Sequence, residues 1–233
     1  MKYSRSTNRE DTLKQKLREY GLSITLLGLF FVIQVGLSLV GQRQYNHEQA
    51  DHGQPTVSYL EYVRSPAFLE ATMENWESEF LQMFAYVLLT AFLFQKGSAE
   101  SKDPDKQEAV DRDPRQSRDV ENAPWPVRKG GIVLKLYENS LSIALFLLFA
   151  IAFVLHAVGG AKEYSQQQTT HGEQAVTVVQ YLGTAQFWFE SLQNWQSEFF
   201  SIGVLVLLSI FLRQKGSPES KPVDSPHSMT GHE

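Results

Sequence analysis

Residues 19–102 recur as residues 138–221, at an offset of 119 positions and with no gap between them. Of the 84 aligned pairs, 33 are identical. Asn75-Trp76-Glu77-Ser78-Glu79-Phe80 returns as Asn194-Trp195-Gln196-Ser197-Glu198-Phe199. Gln95-Lys96-Gly97-Ser98-Ala99-Glu100-Ser101-Lys102 returns as Gln214-Lys215-Gly216-Ser217-Pro218-Glu219-Ser220-Lys221. Polar positions match as well as apolar ones, so shared hydrophobicity does not explain the likeness. One long period, used twice, marks two copies of a unit rather than a solenoid, which stacks three or more shorter repeats.

Each copy opens on an apolar run. Leu22–Val40 is 19 residues without a charge, enough at about 1.5 Å per residue to cross a hydrocarbon core of roughly 30 Å. A basic start before an apolar run also describes a signal peptide. The second copy, Leu141–Val158, lies in mid-chain where no signal peptide can be, so both runs are read as spans.

The second half of each copy reads as a long helix. Ser65 suits an N-cap and Pro66 a first helical position. Leu69, Met73, Trp76, Phe80, Met83, Phe84 and Val87 then recur at spacings of three and four, the helical period. The spacing predicts one helix over Pro66–Gln95, amphipathic at first, with Glu70, Glu74 and Glu77 off the apolar face. Its uncharged stretch, Phe80–Phe94, is read as a span. Lys96 and Gly97 supply a C-terminal cation and a left-handed cap. The second copy predicts a helix from about Ala185 to Gln214.

The resulting plan is a basic N-terminus (1–21) and repeat unit 1 (22–97, spans about 22–40 and 80–95). A polar linker expected to be disordered (98–131) leads to repeat unit 2 (132–216, spans about 141–158 and 199–213). A disordered tail (217–233) follows. The fold class expected is all-α, with four transmembrane spans from a parallel tandem duplication and a long second helix in each unit. The halves are expected to be related by an approximate two-fold axis along the membrane normal.

Charge orients the plan. Lys and Arg number six before the first span, nine between Lys96 and Lys135, and three in the C-terminal segment. The loop after the first span holds only Arg43 and Arg64, and the loop after the third only Lys162. Positive residues collect on the cytoplasmic side. Both termini are therefore expected in the cytoplasm of a cell-membrane protein, and the His52-Gly53 and His171-Gly172 loops outside.

Composition narrows the chemistry. The net charge of −5 and the lack of a basic stripe exclude a general nucleic-acid binder. The absence of cysteine excludes disulfides, thiolate metal sites and dithiol chemistry. No phosphate-cradling glycine loop, His-Glu-x-x-His helix or Gly-x-Ser-x-Gly elbow occurs. Haem ligation would need paired histidines within spans. Only His156 lies in one, opposite Leu37 of the other copy, which favours a structural or solvent-facing role. His52 and His171 with Glu79 and Glu198 could form a symmetric zinc site, but loop histidines beside a glycine are read first as turn residues. No catalytic residue, cofactor or metal is expected.

One polar stripe stands out. Asn75, Glu79 and Gln82 fall on one helical face, and Asn194, Glu198 and Ser201 repeat them. A two-fold would bring Glu79 and Glu198 together to share a proton or bind a cation, with Asn75 and Asn194 in hydrogen-bonding reach. The plainer reading is a pair of solvated interfacial charges. Trp76 and Trp195 are expected to anchor the outer interface, where indole rings collect.

The Asn-Trp-x-Ser-Glu-Phe motif, an apolar run and the closing Gln-Lys-Gly-Ser-x-Glu-Ser-Lys together resemble a family of uncharacterised bacterial integral-membrane proteins. Both halves carry the resemblance, the second more closely, since Glu77 and Ala99 replace the family's Gln and Pro in the first. The resemblance implies a membrane location and no activity. The sequence thus favours a non-catalytic membrane structural or interaction protein. A small transporter or proton- or cation-linked channel using Glu79 and Glu198 comes second, and a membrane enzyme third. The bilayer is the one partner implied; a homo-oligomer or another membrane partner is left open.

Overall fold

The computed structural model describes residues 9–231. Lys2 and Arg5 of the basic N-terminus, and the last two residues of the tail, lie outside the described residues. The described chain is helical and contains no strand: α1 (Arg9–Asp51), α2 (Tyr59–Val63), α3 (Pro66–Thr90), α4 (Trp125–Lys129), α5 (Gly131–Glu138), α6 (Ser140–Thr170), α7 (Val178–Tyr181) and α8 (Ala185–Phe211). It divides between Phe68 and Leu69 into two compact units.

Three stretches among the described residues are long and apolar enough to cross a membrane: Lys14–Asp51, Ser140–Thr170 and Ala185–Phe211. Much of their apolar surface is uncovered by protein. Leu22, Val32 and Val40 on α1, Leu141 and Ile151 on α6, and Phe189 and Phe200 on α8 are all exposed. Apolar surface left open on this scale marks a place for lipid or a partner.

α3 does not meet the same standard, so the described residues supply three such helices where four spans are expected. It carries Glu70, Glu74, Glu77 and Glu79, and it stops at Thr90 rather than Gln95. The expected span over 80–95 is thereby cut short. Its end tightens through Ala91 N–H to Leu88 O at 3.3 Å and Phe92 N–H to Leu89 O at 3.0 Å, the narrower turn common at helix ends. α8 likewise stops at Phe211 rather than Gln214. α1 and α6 run well past their expected ends, to Asp51 and Thr170. Polar residues continue a helix readily until a breaker arrives, and Gly53 and Gly172 take φ of +68° and +80° just beyond the two ends.

In the first unit, α1 is pinned to α2. Asn46 accepts from Val57 N–H at 2.7 Å and donates to Val57 O at 2.9 Å. Ser58 caps α2 in a reciprocal box with Glu61, and the Tyr62 ring lies directly on Gly41. In the second unit the same devices join α6 to α7. Ser165 accepts from Val176 N–H at 3.0 Å and donates to Val176 O at 3.1 Å. Thr177 and Gln180 form the box. A Cβ on Gly160 would stand 2.5 Å from the Tyr181 ring, so only glycine admits that ring.

The closing motif is a folded turn in both copies, not the helix cap expected. Gln95 N–H donates to Ser101 Oγ at 2.8 Å, and Gln214 N–H to Ser220 Oγ at 2.8 Å. Ser98 Oγ accepts from Glu100 N–H and Ser217 Oγ from Glu219 N–H, each at 3.1 Å. Gly97 and Gly216 sit at φ +87° and +86°. In the linker lie two short 3-10 turns, Ala109–Asp111 and Pro114–Ser117, and a Lys102–Asp111 ion pair at 2.6 Å. Ala123 and Val127 of the linker pack with Leu134 just beyond it in a small core. In the tail, the buried Lys221 ammonium donates to the carbonyls of Gly97, of His227 at 3.1 Å and of Met229 at 2.8 Å. In both segments, backbone carbonyls and short side chains supply the partners that apolar burial does not.

The main core of the second unit is aromatic. Ala157, Ala161, Tyr181 and Phe187 are buried together, with Phe153 and Tyr164 packed against them. Small residues on α6 let the rings of α7 and α8 come close. Phe187 meets Phe153 edge-on at 5.4 Å and stacks on the His156 ring at 4.9 Å.

Candidate functional site

Beside this aromatic core lies a cluster of charge. On α3, Glu70, Glu74 and Glu77 follow at spacings of four and three and so share a face. α6 contributes His156, α7 contributes Tyr181, and α8 contributes Gln186, Glu190, Asn194 and Trp195. All belong to the second unit.

His156 and Glu77 are both wholly buried, at 0% exposure. His156 Nδ1 and Glu77 Oε2 are 2.8 Å apart. Glu77 Oε1 accepts from Trp195 Nε1–H at 3.0 Å. With Glu77 as a carboxylate, which only accepts, the proton in this bond would sit on Nδ1. The other ring nitrogen, Nε2, is buried, makes no hydrogen bond, and lies 3.6 Å from Glu190 Oε2.

Glu190 is held in place from three sides. The Tyr181 hydroxyl donates to Glu190 Oε2 at 2.7 Å or to Glu70 Oε1 at 3.1 Å, its one proton serving either carboxylate. Burial and these two carboxylates push the Tyr181 phenol up, which keeps it a donor at ordinary pH. Gln186 Nε2–H donates to Glu190 Oε1 at 2.9 Å. Asn194 donates to the Glu74 carboxylate and, at 3.2 Å, to the Glu190 carbonyl.

The cluster thus gathers four carboxylates around one imidazole. Full ionisation would leave a large uncompensated negative charge away from water, which is costly. Such a site recruits protons or a cation. Glu70, His156 and Glu190 each offer a ligand atom, all within 4.8 Å of one another.

The residues singled out by sequence are placed differently. Glu79 is exposed and Glu198 half-buried; the two are electrostatic neighbours, and Gln82 Nε2–H reaches the Glu198 carbonyl at 3.4 Å. The asparagines do not serve them. Asn75 bonds the Ala71 carbonyl at 2.7 Å, and Asn194 belongs to the cluster around Glu190. Ser201 turns back on the Glu198 carbonyl at 2.9 Å. Trp76 packs edge-on against Phe80 at 6.4 Å, while Trp195 is committed to Glu77. The His52 and His171 rings rest on the Glu48 and Gln167 carbonyls at 2.8 Å, closing their helices. The solvent-facing option for His156 is overturned by its complete burial.

Glu77, Glu70 and Glu190 escaped the sequence reading, yet a signal existed. The copies differ where the cluster forms: Glu77 stands opposite Gln196, His156 opposite Leu37, Glu70 opposite Phe189 and Glu190 opposite Ala71. Four ionisable residues unmatched by the repeat, two from each copy, mark a site that the duplication alone did not supply.

Three helices fit to cross a membrane, in a chain of helices only among its described residues, define a helical membrane protein. Within that class, the chain belongs to the domain-of-unknown-function family DUF6766, whose model matches residues 13–232. No curated protein and no solved structure matches it.

Proposed function

We propose that this membrane protein takes up and passes protons at the cluster centred on His156. The observation that carries the reading is the burial of His156, on a helix able to span a bilayer, between Glu77 of α3 and Glu190 of α8. Ionisable residues at such positions are costly and usually line a path for ions or protons. Glu70, Glu74 and Glu77 act on His156 from α3 and Glu190 from α8, while Tyr181 of α7 and Glu163 of α6 act on Glu70. The proton- or cation-linked role is thereby moved from Glu79 and Glu198 to this cluster.

The test is proton uptake into proteoliposomes under an imposed potential, read with an internal pH dye. Wild type is expected to exceed empty vesicles, and Glu190→Gln at equal incorporation to fall to their level. Equal rates for wild type, Glu190→Gln and empty vesicles would instead favour the membrane structural or interaction role.

The finer topology belongs to the same proposal. Lys and Arg placement supports cytoplasmic termini and linker in the cell membrane, with α3 completing a fourth crossing through its apolar end. Reporter fusions after Lys102 and Lys221 are expected to read as cytoplasmic, and fusions at Gly53 and Gly172 as external. A cytoplasmic reading at Gly53 would reverse the orientation.

A further inference from the structure

We infer that Glu70, His156 and Glu190 form a binding site for one divalent transition-metal ion of the zinc type. The inference rests on reading the cluster as a cation site, and it names the cation. Imidazole nitrogen with carboxylate oxygen is a ligand set that zinc accepts.

The histidine is already arranged as a ligand. With Nδ1–H given to Glu77, a neutral His156 turns the lone pair of Nε2 toward Glu190. That lone pair is buried, has no hydrogen bond, and faces the Glu190 carboxylate at 3.6 Å. Where Nε2 carries no proton, this approach sets two electron-rich atoms against each other, and either a proton or a bound cation between them relieves it. Ligand atoms on a tetrahedral zinc stand about 3.3 Å apart, from metal–ligand lengths near 2.0–2.2 Å. The observed 3.6 Å is close to that edge. The full set lies within 4.8 Å, so the three ligand atoms would draw together by up to about 1.5 Å around a shared ion.

The surroundings match a metal's outer shell. Ligating histidines hand their second N–H to a carboxylate, which fixes the tautomer and raises basicity. Glu77 does this for His156, and Trp195 fixes Glu77 in turn. Tyr181 and Gln186 hold the two oxygens of Glu190. Glu77 is therefore a positioning residue, while Glu70, His156 and Glu190 hold the ion.

The experiment uses the full chain in detergent, stripped with a chelator and dialysed, with zinc as the probe. Equilibrium dialysis is expected to give one zinc per chain, unchanged in the His52→Ala/His171→Ala variant. Glu190→Gln and Glu70→Gln are expected to lose it, and Glu77→Gln to weaken it by about 10- to 100-fold. X-ray absorption of the zinc-loaded wild type decides the matter even where a variant fails to fold. One imidazole with carboxylate oxygens at about 2.0–2.2 Å supports the site. No bound zinc, loss of zinc in the loop-histidine variant, or a shell with two or more imidazoles overturns it. Proton uptake that survives while zinc binding fails overturns the metal alone. Zinc binding without proton uptake overturns the transport reading alone.

Discussion

Replacing Glu77 with alanine is expected to be among the most damaging single changes in this chain. Glu77 is 0% exposed and accepts from both His156 and Trp195. Alanine leaves two buried N–H groups without an acceptor. It also strands His156 beside Glu190 with no fixed tautomer. Breaking a buried pair from one side costs about 3–5 kcal/mol. Glu79 supplies the control two positions along the same helix, because its side chain is exposed. A surface change of that kind stays within about 0.5 kcal/mol. Denaturant unfolding in detergent, followed by tryptophan fluorescence, compares the two directly. Equal losses for Glu77→Ala and Glu79→Ala would mean that Glu77 is not the buried anchor described here.

That contrast also shows what the sequence could and could not reveal. Glu77 and Glu79 lie in one motif, and both read as polar residues of an amphipathic helix. Spacing separates them by about 200° around the helix axis, but it does not say which face meets another helix. The repeat pointed to Glu79, because Glu198 matches it, and symmetry suggested function. The buried residue is the one that breaks the repeat. Where the two copies agree, by contrast, local structure was open to reading. Gly41 and Gly160 admit Tyr62 and Tyr181, and Ser58 and Thr177 cap their short helices alike. These are consequences of short-range chemistry, and conserved spacing carries them.

Helix ends were less legible for a related reason. Apolar residues run on past Thr90 to Phe94, so hydrophobicity alone extends α3 to Gln95. What stops it is the turn built by the next eight residues. Ser101 takes the Gln95 N–H, and Ser98 is held by Ser209 at 2.7 Å and Gly231 N–H at 2.9 Å. Those partners come from far along the chain, and no local pattern announces them. The hydrogen bonds of Lys221 in the tail are of the same long-range kind, and composition does not count them.

The double substitution Glu77→Gln/His156→Leu is expected to be far less damaging than either change alone. It installs the residues that the other copy carries at these positions, Gln196 and Leu37. His156→Leu alone leaves Glu77 as a buried carboxylate whose only remaining donor is Trp195. Glu77→Gln alone leaves the imidazole without its anionic partner. Together they remove both charges, keep an amide oxygen for the Trp195 N–H, and fill the ring's place beside Phe187 with an apolar side chain. Buried ion pairs replaced as a unit by residues of similar volume are often neutral or stabilising by about 1–4 kcal/mol. The two single losses should therefore exceed the double loss, with a coupling of about 1–3 kcal/mol between the sites. Glu190 and Glu70 keep the Tyr181 hydroxyl in every variant, which confines the comparison to the histidine pair. Unfolding midpoints of all four proteins in one detergent give the cycle. Strict additivity would show that Glu77 and His156 are not energetically joined. A stable double variant that has also lost proton uptake and zinc binding would show that the pair is retained for function rather than for stability.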